Sequence, residues 1–337
     1  MRAVLVKQSG DASQLHIGKY PTPMPTDSQI LVKIKCFALN RMDIVQRQGN
    51  YPPPPGASFI LGVEMSGVVE SIGKDALSGW SVTKYKPGDA VFGLMPGGAY
   101  AEYAVIEESL AMLKPDNLTF EQAAAIPETW FTAYQALFFV AELKAGQDVL
   151  IHAGASGVGI AAIQLAKQHG AGRIFVTAGS DEKCKFCETL GATRAINYKT
   201  ENWGEVIAEA TAGKGVNIVV DFIGKNYWEQ NIQTLAVDGR MVILAFLSGN
   251  TIENSNLAML LRKRLRVEGS ALRSRSLEYQ VRLRDALYED VILEHLAKAD
   301  GKLKLYIDKV FDWNDIVQSH EYLESNQSMG KIVVHVT

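Results

Sequence analysis

The chain has 337 residues, 47 % of them apolar and 21 % charged, with a formal net charge of −3. That length implies two domains and a large core, and the composition is ordinary for a soluble globular protein. No run nears the ~18 uninterrupted apolar residues of a spanning helix, which excludes a membrane segment. Lys and Arg are dispersed except in Arg262-Lys-Arg-Leu-Arg266. That cluster could touch RNA or a phosphate, but a solvated helix end is the favoured reading, and a nucleic-acid partner is not expected.

In chain order, Met1-Arg-Ala-Val-Leu-Val-Lys7 is too short in its apolar run for a signal peptide and reads as a strand, so a cytoplasmic protein is expected. Short strand-like runs follow at 29–35, 67–72 and 90–93, among Gly and Pro, and suggest a β barrel-like domain over residues 1–122. Within it, Pro52-Pro-Pro-Pro55 reads as a stiff polyproline-like loop. From 123 to 266 strand and helix alternate. Candidate strands at 149–151, 173–177, 194–197, 217–221 and 240–246 imply an α/β domain with a parallel sheet. The tail returns to the first style, with strands at 305–311 and 331–336 around a helix at 314–324.

The alternating section opens on Val149-Leu-Ile-His-Ala-Gly-Ala-Ser-Gly-Val-Gly159. A short buried strand runs into Gly154, Gly157 and Gly159, and then into a helix from Ile160 to Gln168. Such a turn lets backbone approach a pyrophosphate, and free N–H groups at the helix start point at its charge. Ser156 takes the middle glycine position, so the pattern is not an intact G-x-G-x-x-G. A glycine triplet alone also describes an ordinary strand-to-helix turn; the flanking strands favour dinucleotide binding.

The next strand says which dinucleotide. A NAD site usually places Asp or Glu about 20 residues after the glycines, where it accepts from the ribose 2′-OH. Here Ile174-Phe-Val-Thr177 runs into Ala178-Gly179-Ser180 with no acid at its tip, although Asp181 and Glu182 follow closely. Ser180, Lys183 and Tyr198 are donors that suit a 2′-phosphate, which a carboxylate would repel. A solvated helix start capped by Ser180 is the plainer alternative. NADPH is favoured over NADH.

The three cysteines limit metal chemistry. Cys36 stands alone, and Cys184 and Cys187 form a C-x-x-C on the presumed helix after the second strand. Zinc there would need two further ligands, and the six histidines are scattered. All three thiols are expected to be reduced and mostly structural.

Several spaced motifs then carry a resemblance along essentially the whole chain. They are Ala38-Leu-Asn-Arg-Met-Asp-Ile-Val-Gln-Arg-Gln-Gly-Asn-Tyr51, Leu61-Gly-Val-Glu64, Gly97-Gly-Ala-Tyr-Ala-Glu-Tyr103, Ala123-Ala-Ala-Ile-Pro-Glu-Thr-Trp-Phe-Thr-Ala-Tyr134, the glycine turn and Gly330-Lys-Ile-Val-Val334. The chain resembles the medium-chain dehydrogenase/reductase superfamily and, within it, the zinc-free zeta-crystallin-type quinone oxidoreductases. The resemblance implies a GroES-like substrate domain from residues 1–122 and 267–337, a doubly wound (Rossmann) NADPH domain from 123–266, a cleft at their junction, and a homodimer. It implies Asn40 and Tyr51 beside nicotinamide and substrate, and Thr132 near the carboxamide. Around pyrophosphate and 2′-phosphate it implies Ser156, Gly157, Val158, Ser180, Lys183 and Tyr198, with Gly154, Gly159 and Gly179 shaping the backbone. A second tyrosine that some members carry near this motif is missing, since Val45 and Gln46 stand there.

The zinc branch needs Cys at the position of Asn40 and His at that of Val63; both are absent, as is a four-cysteine lobe. Without that Lewis acid an alkoxide goes unstabilised. A quinone already accepts electrons, so NADPH, an apolar slot and one or two donors suffice, with Tyr51 and Asn40 as those donors. Tyr51 also reads as an anchor for the 52–55 loop, and Asn40 as a helix cap. Asp43, Arg47 and Glu64 read as a structural ion-pair set. Three functions follow: NADPH-dependent quinone reduction is preferred, ahead of reduction of activated C=C bonds in enals or enones, and then of a mainly binding role like that of crystallin or RNA-binding members.

Overall fold

The computed structural model describes residues 1–73, 84–253 and 255–337. Strands β1 (Arg2–Val6) and β2 (Leu15–Lys19) pair antiparallel. Next come β3 (Gln29–Ala38), α1 (Arg41–Arg47), β4 (Glu64–Ile72), β5 (Ala90–Leu94), β6 (Tyr103–Glu107) and β7 (Ala111–Leu113). Helices α2 (Phe120–Ala124) and α3 (Pro127–Tyr134) lead into the alternating section. It contains β8 (Val149–Ile151), α4 (Gly157–Gln168), β9 (Ile174–Ala178), α5 (Asp181–Leu190), β10 (Arg194–Asn197), α6 (Trp203–Ala210), β11 (Val216–Asp221), α7 (Trp228–Thr234), β12 (Leu235–Ile243), α8 (Ala258–Lys263) and β13 (Arg266–Gly269). The tail holds α9 (Leu277–Leu287), β14 (Ile307–Asp312), α10 (Ile316–Glu324) and β15 (Lys331–His335).

The chain divides into two compact units, Met1–Phe131 with Arg273–Thr337, and Thr132–Leu272. These borders fall somewhat later in the chain than the 122/123 and 266/267 borders read from sequence. In the first unit, β14-β15-β3-β4-β5-β7 form one sheet, with β6 also on β3. The centre of that sheet follows from the period of β3: Lys33 and Lys35 are exposed while Val32, Ile34 and Cys36 are buried between them. Its core joins Ile30, Phe37, Met65, Val91, Tyr100, Ile106 and Trp313.

The second unit is a wholly parallel sheet in the order β10-β9-β8-β11-β12-β13. Counting its strands from the first, this is the doubly wound order 3-2-1-4-5-6, whose switch point lies beside the first strand, β8. Its central strands β8 and β9 are near-continuous apolar runs, as expected of a parallel sheet covered on both faces. β9 (Ile-Phe-Val-Thr-Ala) is fully buried along its length.

Two details differ from the sequence reading. The strand expected at 240–246 begins earlier, at Leu235, and ends at Ile243. A further strand, β13, which the sequence reading did not include, pairs beside it in parallel from Arg240↔Arg266 to Ile243↔Gly269. The basic run is correspondingly split: Arg262 and Lys263 end α8, Arg264 takes a left-handed backbone, and Arg266 starts β13.

Candidate active site

In the first unit the site grows from the ends of β3 and β4. Asn40 precedes α1, and its backbone N–H donates to Asp43 Oδ2 at 2.8 Å. Asn40 is thus the N-cap residue of α1 and Asp43 at the third helical position closes the cap on its backbone, while the Asn40 side chain turns elsewhere. Its Nδ2 donates to Glu64 Oε1 at 2.7 Å, and its Oδ1 accepts from Lys331 Nζ at 2.6 Å. Lys331 also donates to Leu39 O at 2.7 Å and lies 2.6 Å from Glu64 Oε1. Lys331 is thus held by two hydrogen bonds and an ion pair in a site where Glu64 is 0 % and Lys331 5 % exposed. The second oxygen of Glu64 accepts from the Glu128 N–H at 2.8 Å, which places a carboxylate at the start of α3.

The expected ion-pair set exists with other partners. Arg47 pairs with Glu324 at 2.6 Å and donates to His320 Nδ1 at 3.0 Å. His320 Nε2 then faces Tyr100 Oη at 3.3 Å, and Tyr100 donates to Asp43 Oδ2 at 3.1 Å. Burial holds His320 down at about 3 and pushes Asp43 up to about 6, against the lowering effect of the Asn40 N–H. A neutral His320 fits the order of donors, since Nδ1 must accept from Arg47. Gly62 explains the Leu61-Gly-Val-Glu motif: its φ is +90°, its N–H reaches Asp43 at 3.2 Å, and a Cβ there would meet Tyr100 at 2.3 Å.

Tyr51 is half-buried, with the Arg273 guanidinium 5.5 Å from its ring centroid. Arg273 also donates to Pro96 O at 2.7 Å and Gln46 Oε1 at 2.9 Å. With Val63, Leu94, Met95, Pro96, Glu128 and Gln280 it lines a small cavity. Burial, aided by the Glu64 charge, pushes the Glu128 carboxyl up to about 7. Sequence reasoning missed Lys331, Arg273, Glu128 and His320. Lys331 and Glu128 lay in motifs already singled out, but without a role.

In the second unit β8 delivers His152 and then the glycine turn. His152 is fully buried between Thr177 Oγ1 at 2.9 Å and Asn231 Oδ1 at 2.7 Å, and burial lowers it to about 4. A Cβ on Gly154 would stand 1.9 Å from Val176, and one on Gly159 would stand 2.5 Å from Ala153 O, so both glycines are needed for close packing. Ser156 is the N-cap of α4 and accepts from Gly159 N at 3.1 Å. The N–H groups of Gly157 and Val158, half-buried at the first two helical positions, have no acceptor among the described hydrogen bonds. Thr132 is half-buried in α3.

Ser180 caps α5, accepting from Lys183 N at 3.2 Å, as its plainer reading holds. The same turn brings Gly179 against Tyr198: a Cβ there would lie 2.8 Å from the phenol oxygen. Tyr198 is 46 % exposed and Lys183 half-buried. Asp181, which argued against a phosphate, is engaged by Asn197 Nδ2 at 2.6 Å. Cys184 and Cys187 are buried on α5. Cys36 does not stand alone, because His335 Nδ1 lies 3.6 Å from its sulfur.

Comparison with known proteins matches both units. Residues 26–116 fit the model of the alcohol dehydrogenase GroES-like domain, and 157–286 that of the zinc-binding dehydrogenase. Human quinone oxidoreductase is 33 % identical over 75 % of each chain. The Escherichia coli quinone oxidoreductase complexed with NADPH superposes with a TM-score of 0.86, at 30 % identity and full coverage of both chains. The JamJ enoyl reductase superposes with a TM-score of 0.85, at 25 % identity, covering 100 % of this chain and 99 % of that one. The chain belongs to the quinone oxidoreductase family of medium-chain dehydrogenase/reductases. It is an oxidoreductase with the family's GroES-like and Rossmann units. Among the described residues, no helix is long and apolar enough to cross a membrane.

Proposed function

We propose that this oxidoreductase is an NADPH:quinone reductase whose chemistry needs no metal. The observation that carries the reading is Lys331. Its buried ammonium meets Glu64 and Asn40 at 2.6 Å each, where a zinc-dependent relative needs anionic and imidazole ligands. Val63 offers no donor atom, and Asn40 is committed through both ends of its amide. These residues do not fit the ion that the name of the second family model implies. Polarisation of the acceptor therefore falls to hydrogen-bond donors, which serve an electron-poor quinone and not an alcohol.

The nicotinamide cofactor would supply the hydride. The chain's own residues bind and orient it. The Gly157 and Val158 N–H groups face the pyrophosphate at the start of α4, shaped by Gly154, Ser156 and Gly159. Ser180, Lys183 and Tyr198 take the 2′-phosphate next to Gly179, and Thr132 the carboxamide. The NADPH bound by the Escherichia coli relative supports the same choice. Tyr51 donates to the acceptor oxygen with the remaining Asn40 amide hydrogen beside it.

Steady-state NADPH oxidation against a quinone panel and an alkenal panel tests this. Turnover with quinones is expected. Turnover with alkenals alone would replace it by activated C=C reduction, the reading that the likeness to an enoyl reductase favours. Binding of NADPH without turnover on either panel would favour a non-catalytic role. Exhaustive chelation should leave the rate unchanged, and a loss restored by zinc would overturn the metal-free assignment.

A homodimer is proposed as well. β13 forms the sheet edge, and Val237, Phe246, Leu247, Leu257 and Leu261 are exposed in the same unit, Leu261 to 82 %. A light-scattering mass near the 36.9 kDa of one chain at micromolar concentration would exclude it.

A further inference from the structure

We propose a second site in the first unit, a cation site for a borderline-soft divalent metal such as Zn²⁺, built from Cys36, His335 and Glu121. Cys36 and His335 are direct cross-strand partners in the antiparallel β3–β15 pair, so both side chains leave the sheet on one face. α2 packs over that face and brings Glu121 from its first turn. The ligand atoms of the three residues all lie within 4.8 Å of one another.

The geometry matches the metal in particular. Cys36 Sγ and His335 Nδ1 are 3.6 Å apart. Zn–S of about 2.3 Å and Zn–N of about 2.05 Å at a tetrahedral angle require an S···N edge of about 3.6 Å. His335 Nε2 is 2.9 Å from Glu121 Oε1, which fixes the ring with Nδ1 toward the sulfur. The cysteine is fully buried among Ala38, Ala124, Ala125 and Val333. The His335 and Glu121 side chains are 42 % and 28 % exposed, which leaves an entry path and room for waters to complete the tetrahedron around Cys36 and His335. Cation binding takes the thiolate form of Cys36, and the thiol proton leaves to solvent. The site ties the last strand to β3 and α2, and is separate from Asn40, Glu64 and Lys331.

Cobalt(II) titration of the full-length protein is the test, with zinc as competitor. One equivalent should produce a thiolate-to-cobalt charge-transfer band, displaced by zinc, and zinc should raise Tm while kcat is unchanged. Cys36→Ser should abolish the band. His335→Gln and Glu121→Gln, at partly exposed positions that leave the core intact, should each weaken cobalt binding at least about tenfold, since even outer-shell losses cost 10–100-fold. No band, a band that survives Cys36→Ser, or equal affinity in His335→Gln would overturn the site and leave the cluster as a hydrogen-bonded chain only.

Discussion

The polar groups of the two units are organised in opposite ways. Around Asn40, Glu64 and Lys331 in the first unit, each charged group is buried and already paired, with both Glu64 oxygens engaged and Lys331 held by two hydrogen bonds and an ion pair. Around the glycine turn of the second unit, the first helical N–H groups are left without described acceptors, and Tyr198 stands 46 % exposed. The first is rigid before any ligand arrives, because unpairing a buried charge is costly. The second has binding capacity in reserve for an anionic ligand. Substitutions should therefore act on stability in the first unit and on affinity in the second.

The largest effect is expected at Lys331. Lys331→Met removes the ammonium and strands the Glu64 carboxylate at 0 % exposure, a change of the kind that costs about 3–5 kcal/mol. Urea unfolding should show that loss, and adding Glu64→Gln should recover much of it. A single variant as stable as the parent would mean that the network does not hold the unit together.

Lys183→Ala probes the other side of the contrast. Stability should change little, while NADPH affinity falls far more than NADH affinity. A lost charge-assisted contact of about 1.5–3 kcal/mol corresponds to roughly 10- to 150-fold. Parallel losses for both cofactors in a binding titration would remove Lys183 from the 2′-phosphate site.

The same division explains what could be read from sequence. The proposed nucleotide face is local: Gly154 to Gly159 and Gly179 to Lys183 each fall within one strand-to-helix turn, so neighbouring residues in the sequence point to it together. The pocket of the first unit is not. Residues 40, 64 and 331 meet only because β15 pairs with β3 and β3 with β4, and no periodicity connects them. Cys36 and His335 were separated on paper for the same reason. The motifs did mark Asn40, Glu64 and Lys331 one by one, but their partners required the sheet. The strand β13 went unread for a simpler reason, since it has only four residues and follows a basic run that reads as solvated.

Glu128 sharpens the comparison through pH. The folded pocket raises its carboxyl from 4.5 to about 7 and so prefers the protonated form. The stability this gives is present below about 4.5 and is lost as pH rises through about 7. Glu128→Gln stays neutral, so relative to the parent it should gain about 1–3 kcal/mol between pH 5 and pH 8. Asp43, also raised, is present in both proteins and cancels. Denaturation midpoints that keep a constant difference between parent and variant across that range would show that Glu128 titrates normally.

Tyr51 should give the smallest effect and separates two roles of one ring. If its hydroxyl donates to the acceptor oxygen as charge develops, Tyr51→Phe should lower kcat/KM with a quinone while NADPH affinity holds. An oxyanion donor can be worth 10²–10³ in rate, but a quinone needs little help, so about tenfold is expected. Tyr51→Ala should be worse, because it also removes the face that the Arg273 guanidinium covers at 5.5 Å and frees Arg273 beside Glu128. The two variants decide together. A silent Phe with a damaging Ala would make Tyr51 a wall that positions Arg273, and the donor to the acceptor would then be the Asn40 amide hydrogen that Glu64 leaves unused.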